Sequence, residues 1–85
     1  MKITYRPHRG GYEESMKLCR EYTSIIDMLI SICRDYDYAF DIEDISIRYY
    51  VHDVRNGWDT FAVGTRVMGE EKFNTPALVG WCKFN

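Results

Sequence analysis

Hydrophobic and polar residues alternate from Lys2 to Arg6, with Ile3 and Tyr5 on one side, and Pro7 then removes a backbone donor. The pattern predicts a short first strand. Gly10 and Gly11 turn the chain. Tyr12 to Met16 reads as one helical turn, and Leu18 to Tyr22, which suits either period, is assigned an extended form after it. Ser24 followed three residues later by Asp27 is a variant of the capping box. Its hydroxyl accepts an early helical N–H, and the carboxylate sits at the positive end of the dipole. A helix therefore starts there. Ile25, Leu29 and Ile32, flanked by Ile26, Ile30 and Cys33, give it a broad apolar stripe; Arg34 falls near its negative end, and it runs to about Tyr36.

The second half of the chain switches to period two. Ile45, Ile47, Tyr49 and Val51 alternate with Ser46, Arg48, Tyr50 and His52, and Phe61, Val63 and Val67 alternate with Thr60, Ala62, Gly64 and Arg66. Asn56 and Gly57 mark a hairpin turn between the two runs. A two-residue loop pairs Val51 with Ala62 and sets the apolar residues of the two strands on opposite faces. A three-residue loop over Arg55 to Gly57 pairs Val51 with Phe61, Tyr49 with Val63, Ile47 with Thr65 and Ile45 with Val67, which makes one face consistently apolar. The second register is preferred, since a one-residue slip turns every side chain over. Gly69 to Pro76 then forms a charged connection. Ala77 to Phe84 is a last strand, in which Leu78, Cys82 and Phe84 compete with Val79 and Trp81 for the inner face, as suits a mid-sheet position. The sum is an α+β fold: an antiparallel sheet of four or five strands with one main helix packed on one face, in a single domain over residues 1–85.

A chain of 85 residues and 10.1 kDa closes only one hydrophobic core. Its 46% hydrophobic and 28% charged residues are the balance of a globular domain. Seven Tyr, four Phe and two Trp are more rings than so small a core is expected to enclose, which sends some to the surface. Tyr36, Tyr38 and Phe40 are given no place by the pattern. Eleven basic against thirteen acidic residues leave a net charge of −2, so no global field draws the chain onto nucleic acid. The charge is polarised all the same: residues 1 to 12 hold Lys2, Arg6, His8 and Arg9 with no acid, and residues 35 to 47 hold Asp35, Asp37, Asp41, Glu43 and Asp44 with no base. Cys19, Cys33 and Cys82 are odd in number and widely spaced, which signals neither a disulfide framework nor a zinc site and fits a reducing compartment. No cofactor is expected. The stretch Ile25 to Cys33, broken by Asp27 and Ser31, is too short and too polar to span a bilayer or to act as a signal peptide, so a cytoplasmic location without membrane contact is expected.

Three surfaces are candidates for function. The preferred register gathers Arg48, Tyr50, His52, Trp58 and Arg66 on the face away from the helix, with Tyr50 opposite Ala62 and Arg48 opposite Gly64. Rings and guanidinium groups over small neighbours suit a protein interface or a stacking platform for single-stranded nucleic acid. The plain alternative is cross-strand pairing that only stabilises a solvated sheet, and the net acidity speaks against nucleic acid. The acidic loop, with Asp37, Asp41, Glu43 and Asp44, is either a solvated turn or an imitation of phosphates toward a basic protein. Arg6, His8 and Arg9, beside two glycines, either hold a phosphate or carboxylate or pair with the acids of the 35 to 44 loop. The same register sets Asp53 opposite Asp59, where splaying of the strands into water is expected rather than a bound cation. For catalysis, no G-x-S-x-G, G-x-x-x-x-G-K or G-x-G-x-x-G motif occurs. Cys82 with His52 is the one Cys/His arrangement to test, against the commoner role of a free Cys as a small buried hydrophobe.

The opening KITYRPHRG, the following Tyr12-Glu13-Glu14-Ser15-Met16, and Glu21-Tyr22-Thr23-Ser24 at the start of the helix resemble small uncharacterised proteins of bacteriophages and prophages. Gly57-Trp58-Asp59-Thr60 and the closing Gly80-Trp81-Cys82 are similar too, so the resemblance spans most of the chain. The sequence departs from the pattern at Gly11-Tyr12, where a capping Ser or Thr is expected. The resemblance implies no catalytic residues. It implies a context, a host bacterial cell in which phage proteins of this size inhibit host factors, anti-CRISPR and other counter-defence proteins among them. The expectation is a non-enzymatic interaction protein that occludes a host protein or nucleoprotein. The alternatives are a single-stranded nucleic-acid binder using the outer face and a small enzyme around His52 and Cys82.

Overall fold

The computed structural model describes the backbone of residues 1–53, 58–70 and 75–85 and the side chains of residues 1–49, 61–66 and 77–85. The elements run β1 (Ile3–Pro7), α1 (Tyr12–Lys17), β2 (Arg20–Tyr22), α2 (Ile25–Asp35), a 3-10 turn (Ile42–Asp44), β3 (Ile45–Asp53), β4 (Trp58–Glu70) and β5 (Thr75–Phe84). The strands form one antiparallel sheet in the order β2-β1-β5-β4-β3, with α2 as the major helix: the α+β fold the pattern predicts, with five strands. No helix among the described residues is long and apolar enough to cross a membrane.

α2 begins and ends for local reasons. Ser24 is extended and its hydroxyl accepts the Asp27 N–H at 3.1 Å, which satisfies one of the donors that a helix start leaves open. At the other end the Asp37 N–H donates to Arg34 O (3.0 Å) and the Tyr38 N–H to Cys33 O (2.9 Å). That bond pair is a Schellman motif, which requires a left-handed residue after the helix. Asp37 (φ 53°) supplies it, and Tyr38 (φ 58°) is left-handed as well. Between the caps, Met28, Leu29, Ile32 and Cys33 are buried against Ile3, Tyr5, Val63, Val79 and Cys82 of the sheet. Full burial stabilises each of the larger aliphatic side chains by roughly 1.5–3 kcal/mol.

β5 lies mid-sheet between β1 and β4, as expected. The competing patterns along it have a physical origin: Val63 pairs with Gly80 but Gly64 pairs with Leu78, so β5 carries one extra residue, Val79, at a bulge. Side-chain parity switches there, and Leu78 turns outward (39% exposed) while Cys82 and Val79 are buried. Gly80 admits the Tyr5 ring, because a Cβ at position 80 would lie 2.6 Å from Tyr5 Oη and 2.7 Å from Tyr5 Cε1. The Tyr5 hydroxyl donates to Val79 O at 3.0 Å.

The β3–β4 register differs from the expected one by two residues. Tyr49 pairs with Phe61, Ile47 with Val63 and Ile45 with Thr65, and the register shifts by one residue between Tyr50 and Asp53. From Ile45 to Tyr50 the displacement is even, so the faces of that stretch are those expected. The observed pairing sets Tyr49 edge-on to Phe61 (5.5 Å between centroids) and Phe61 edge-on to Phe84 (5.0 Å), a ring series across three strands that the expected register breaks. Arg48 accordingly faces Ala62 rather than Gly64, Tyr50 faces Thr60 rather than Ala62, and Asp53 faces Trp58 rather than Asp59, so the like-charge pair is absent from the ladder. The expected connection over Gly69 to Pro76 is shorter, since Glu70 pairs with Thr75. The three-residue loop over Arg55 to Gly57 lies outside the described residues.

Candidate functional site

Five strands span four intervals of about 4.8 Å, roughly 19 Å, whereas one helix with its side chains is about 10–12 Å across. α2 therefore covers about half of the inner face, and polar contacts fix which half. Arg20 of β2 forms a two-pronged pair with Asp35 and donates to Ser31 Oγ at 3.1 Å; the Tyr22 hydroxyl donates to Ser31 Oγ at 2.7 Å. Pairing with Asp35 raises the Arg20 pKa above its usual value. This flank ties α2 to the β2 edge. The opposite flank, with Ile26 and Ile30, is 55% and 37% exposed, and on the far strand Tyr49 is 60% exposed with Ile45 and Ile47 half-buried.

Beside that free flank lies an open groove of about 530 Å³, lined by Ile30, Cys33, Tyr38, Phe40, Asp41, Ile42 and Glu43. Its floor is Phe40, which is 4% exposed and packs at 5.3 Å on Tyr36, while Tyr38 stands 65% exposed at its mouth. The rim is acidic. Asp41 and Asp44 cap the 3-10 turn reciprocally, with the Asp41 N–H donating to Asp44 Oδ2 at 3.0 Å. Asp41 and Glu43 of the lining, and Asp37 next to Tyr38 in the chain, are exposed, and none of them pairs with a cation among the described residues. Burial, with Asp41 and Asp44 nearby, pushes the Cys33 thiol up, so it remains a neutral wall group. An L-residue in the left-handed region costs roughly 1–2 kcal/mol; the Schellman cap of α2 sets it at Asp37, and Tyr38, also left-handed, carries its ring exposed beside the apolar channel.

The expected outer face is only partly within the described residues. Arg48 and Arg66 are exposed, whereas the side chains of Tyr50, His52 and Trp58 lie outside the described set. Trp81, which pairs with Arg6 on that face, carries the Arg6 guanidinium at 4.2 Å from its ring centroid and His8 edge-on at 5.1 Å. Arg6 is 3% exposed, also lies 5.0 Å from the Tyr12 ring, and reaches Ser15 Oγ at 3.4 Å. Arg6, His8 and Arg9 do not converge on an anion: the first two close on Trp81, while Arg9 lines a separate pocket of about 180 Å³ with Pro7, Leu18, Arg20 and Asp35. The expected alliance of opening arginines with the acidic loop is taken up by Arg20, through Asp35, and Lys2 pairs with Glu21 at 3.0 Å. Cys82 is fully buried and its thiol is pushed up to about 12 by burial, so it is not a thiolate at neutral pH, and the His52 side chain lies outside the described residues. Among the described residues no three His, Cys, Asp or Glu side chains cluster to hold a metal ion.

Sequence reasoning named the acidic rim but missed Tyr38, Phe40, Ile30 and Ile42. The available signal was the width of the α2 stripe, too broad for one helix to bury against one sheet. Comparison of the chain with family models, with curated proteins and with solved structures found no match.

Proposed function

We propose that this domain acts by binding a protein, with the groove beside α2 receiving an apolar side chain and Asp37, Asp41 and Glu43 attracting the basic residues around it. The observation that carries this reading is Tyr38, exposed and held in left-handed backbone beside an apolar channel whose Asp41 and Glu43 carboxylates pair with no cation among the described residues. An exposed aromatic next to an apolar pocket is the usual centre of an interface hot spot. In the phage setting that the sequence resemblance implies, the basic partner is a host nucleic-acid-handling protein, and occlusion of its surface is the inhibitory act. Stoichiometric recovery of a partner from host lysate by the wild type, and its loss with Tyr38→Ala and with Asp41→Lys/Glu43→Lys, supports the reading. Recovery of no stoichiometric partner, or equal recovery by the variants, contradicts it.

A second reading rests on exposed Arg48 and Arg66, which suit single-stranded nucleic acid on the outer face. It is the weaker, because Trp81 on that face is already covered by Arg6 and His8. Oligonucleotide binding that falls steeply with salt and is lost in Arg48→Ala/Arg66→Ala would favour it.

A further inference from the structure

The sheet has two edges of unlike character. β2 is three residues long, with Arg20 engaged by Asp35 and Glu21 by Lys2. β3 is nine residues long, and in its regular stretch, Ile45 to Tyr50, the one charge is Arg48, with no Pro, no Lys and no inward-pointing charge. Folded proteins defend sheet edges with such residues and with β-bulges, because an undefended strand presents a row of unpaired N–H and C=O groups to any other strand; on β3 the register shift lies beyond Tyr50, so it leaves Ile45 to Tyr50 regular. The apolar inner side of this edge is also incompletely covered: Ile45 and Ile47 are half-buried and Tyr49 is 60% exposed. Among the described residues β3 has a neighbouring strand, β4, on one side alone, and an open ladder with an apolar strip on the same strand calls for a β-strand as occupant.

We propose that β3 pairs antiparallel with β3 of a second copy, centred on Ile47, to form a continuous ten-stranded sheet. The register follows from charge and face. Pairings in which residue numbers sum to an odd value set the apolar side of one copy against the Arg48 side of the other. Centring on Arg48 sets two guanidinium groups directly opposite, which is destabilising. Centring on Ile47 places Tyr49 opposite Ile45 and Arg48 opposite Ser46 of the second copy, each twice by symmetry, and uses the whole regular stretch. The two acidic loops then stand apart: Asp44 of each copy is offset by six residues, about 20 Å along the strands, beyond the ~8 Å screening length. Both α2 helices lie on one side of the joined sheet, so the two grooves face the same way.

Sedimentation equilibrium of the wild type tests this, with charge exchange at the contact. A concentration-dependent dimer is expected. Ser46→Lys faces Arg48 of the second copy twice and weakens the dimer about tenfold, Ser46→Glu strengthens it, and Ser46→Lys/Arg48→Glu restores it. In the wild type, amide exchange at Ile47 to Tyr49 slows as concentration rises, a readout that does not depend on any variant folding. A chain that remains monomeric up to ~1 mM overturns the proposal. So does a dimer that Ser46→Lys leaves unchanged, or one that the double exchange does not restore. None of these results bears on the groove beside α2.

Discussion

Tyr38 separates stability from function in a way that can be measured. Its backbone is left-handed at φ 58°, a conformation that costs an L-residue roughly 1–2 kcal/mol, whereas its ring, 65% exposed, forfeits little buried area when removed. Tyr38→Gly relieves the backbone cost but loses more chain entropy on folding, roughly 0.5–1 kcal/mol. The net expectation is a gain of roughly 1 kcal/mol, which raises the midpoint of thermal unfolding by about 4–8 °C in a domain of this size. Tyr38→Ala removes the same ring and keeps the Cβ, so its stability stays within about 0.5 kcal/mol of the wild type. Urea unfolding of the three proteins, read by tryptophan fluorescence and fitted with a common slope, isolates the backbone term as the difference between the Gly and Ala variants. If Tyr38→Gly is less stable than Tyr38→Ala, the strain is not there and the reasoning from it fails.

The remaining predictions concern what holds the scaffold. Gly80→Ala drives a methyl into the Tyr5 ring and disturbs its bond to Val79 O; a loss of roughly 2–5 kcal/mol in chemical denaturation is expected, part of it recovered in Tyr5→Phe/Gly80→Ala. Ser24→Ala removes the α2 cap and lowers stability by about 1 kcal/mol in the same assay. Thr65 is fully buried and its hydroxyl has no hydrogen-bond partner among the described residues, so Thr65→Val raises the unfolding midpoint, by about 1 kcal/mol in free energy. Burial holds the Cys82 thiol up to about 12, against about 8.5 in an unfolded chain. Between those values the unfolded chain has released the proton and the folded one has kept it, so stability is full below pH ~8.5 and falls as pH rises toward 12. Denaturation midpoints across that range check the slope, which Cys82→Ala reduces, while Tyr5, raised by burial and by Tyr36, adds to it in the wild type.

Alternation and the Ser24 cap were sufficient to read β1, α2 and the faces of β3 from Ile45 to Tyr49, because each of those signals is local. The two-residue displacement of the β3–β4 register was not legible, since it is decided by the Tyr49–Phe61–Phe84 ring series, which involves a third strand. The β5 parity switch at Val79 likewise depends on pairing with β4. The acidic rim could be read as a run of charge, but the groove it borders could not. Phe40 and Ile42 belong to no periodic element, and Ile30 becomes a wall only because a single helix leaves part of a five-stranded sheet uncovered. Arg6 illustrates the opposite error: in the sequence it is one of a basic cluster beside two glycines, and in the fold it is enclosed by Trp81 and Tyr12.

Calorimetric titration of the partner recovered from host lysate against the wild type and Tyr38→Gly decides whether the groove beside α2 is the binding surface. The expected result is an affinity reduced at least about tenfold in a variant that is more stable than the wild type, as loss of a hot-spot aromatic produces. Equal affinity of the two proteins would contradict the claim.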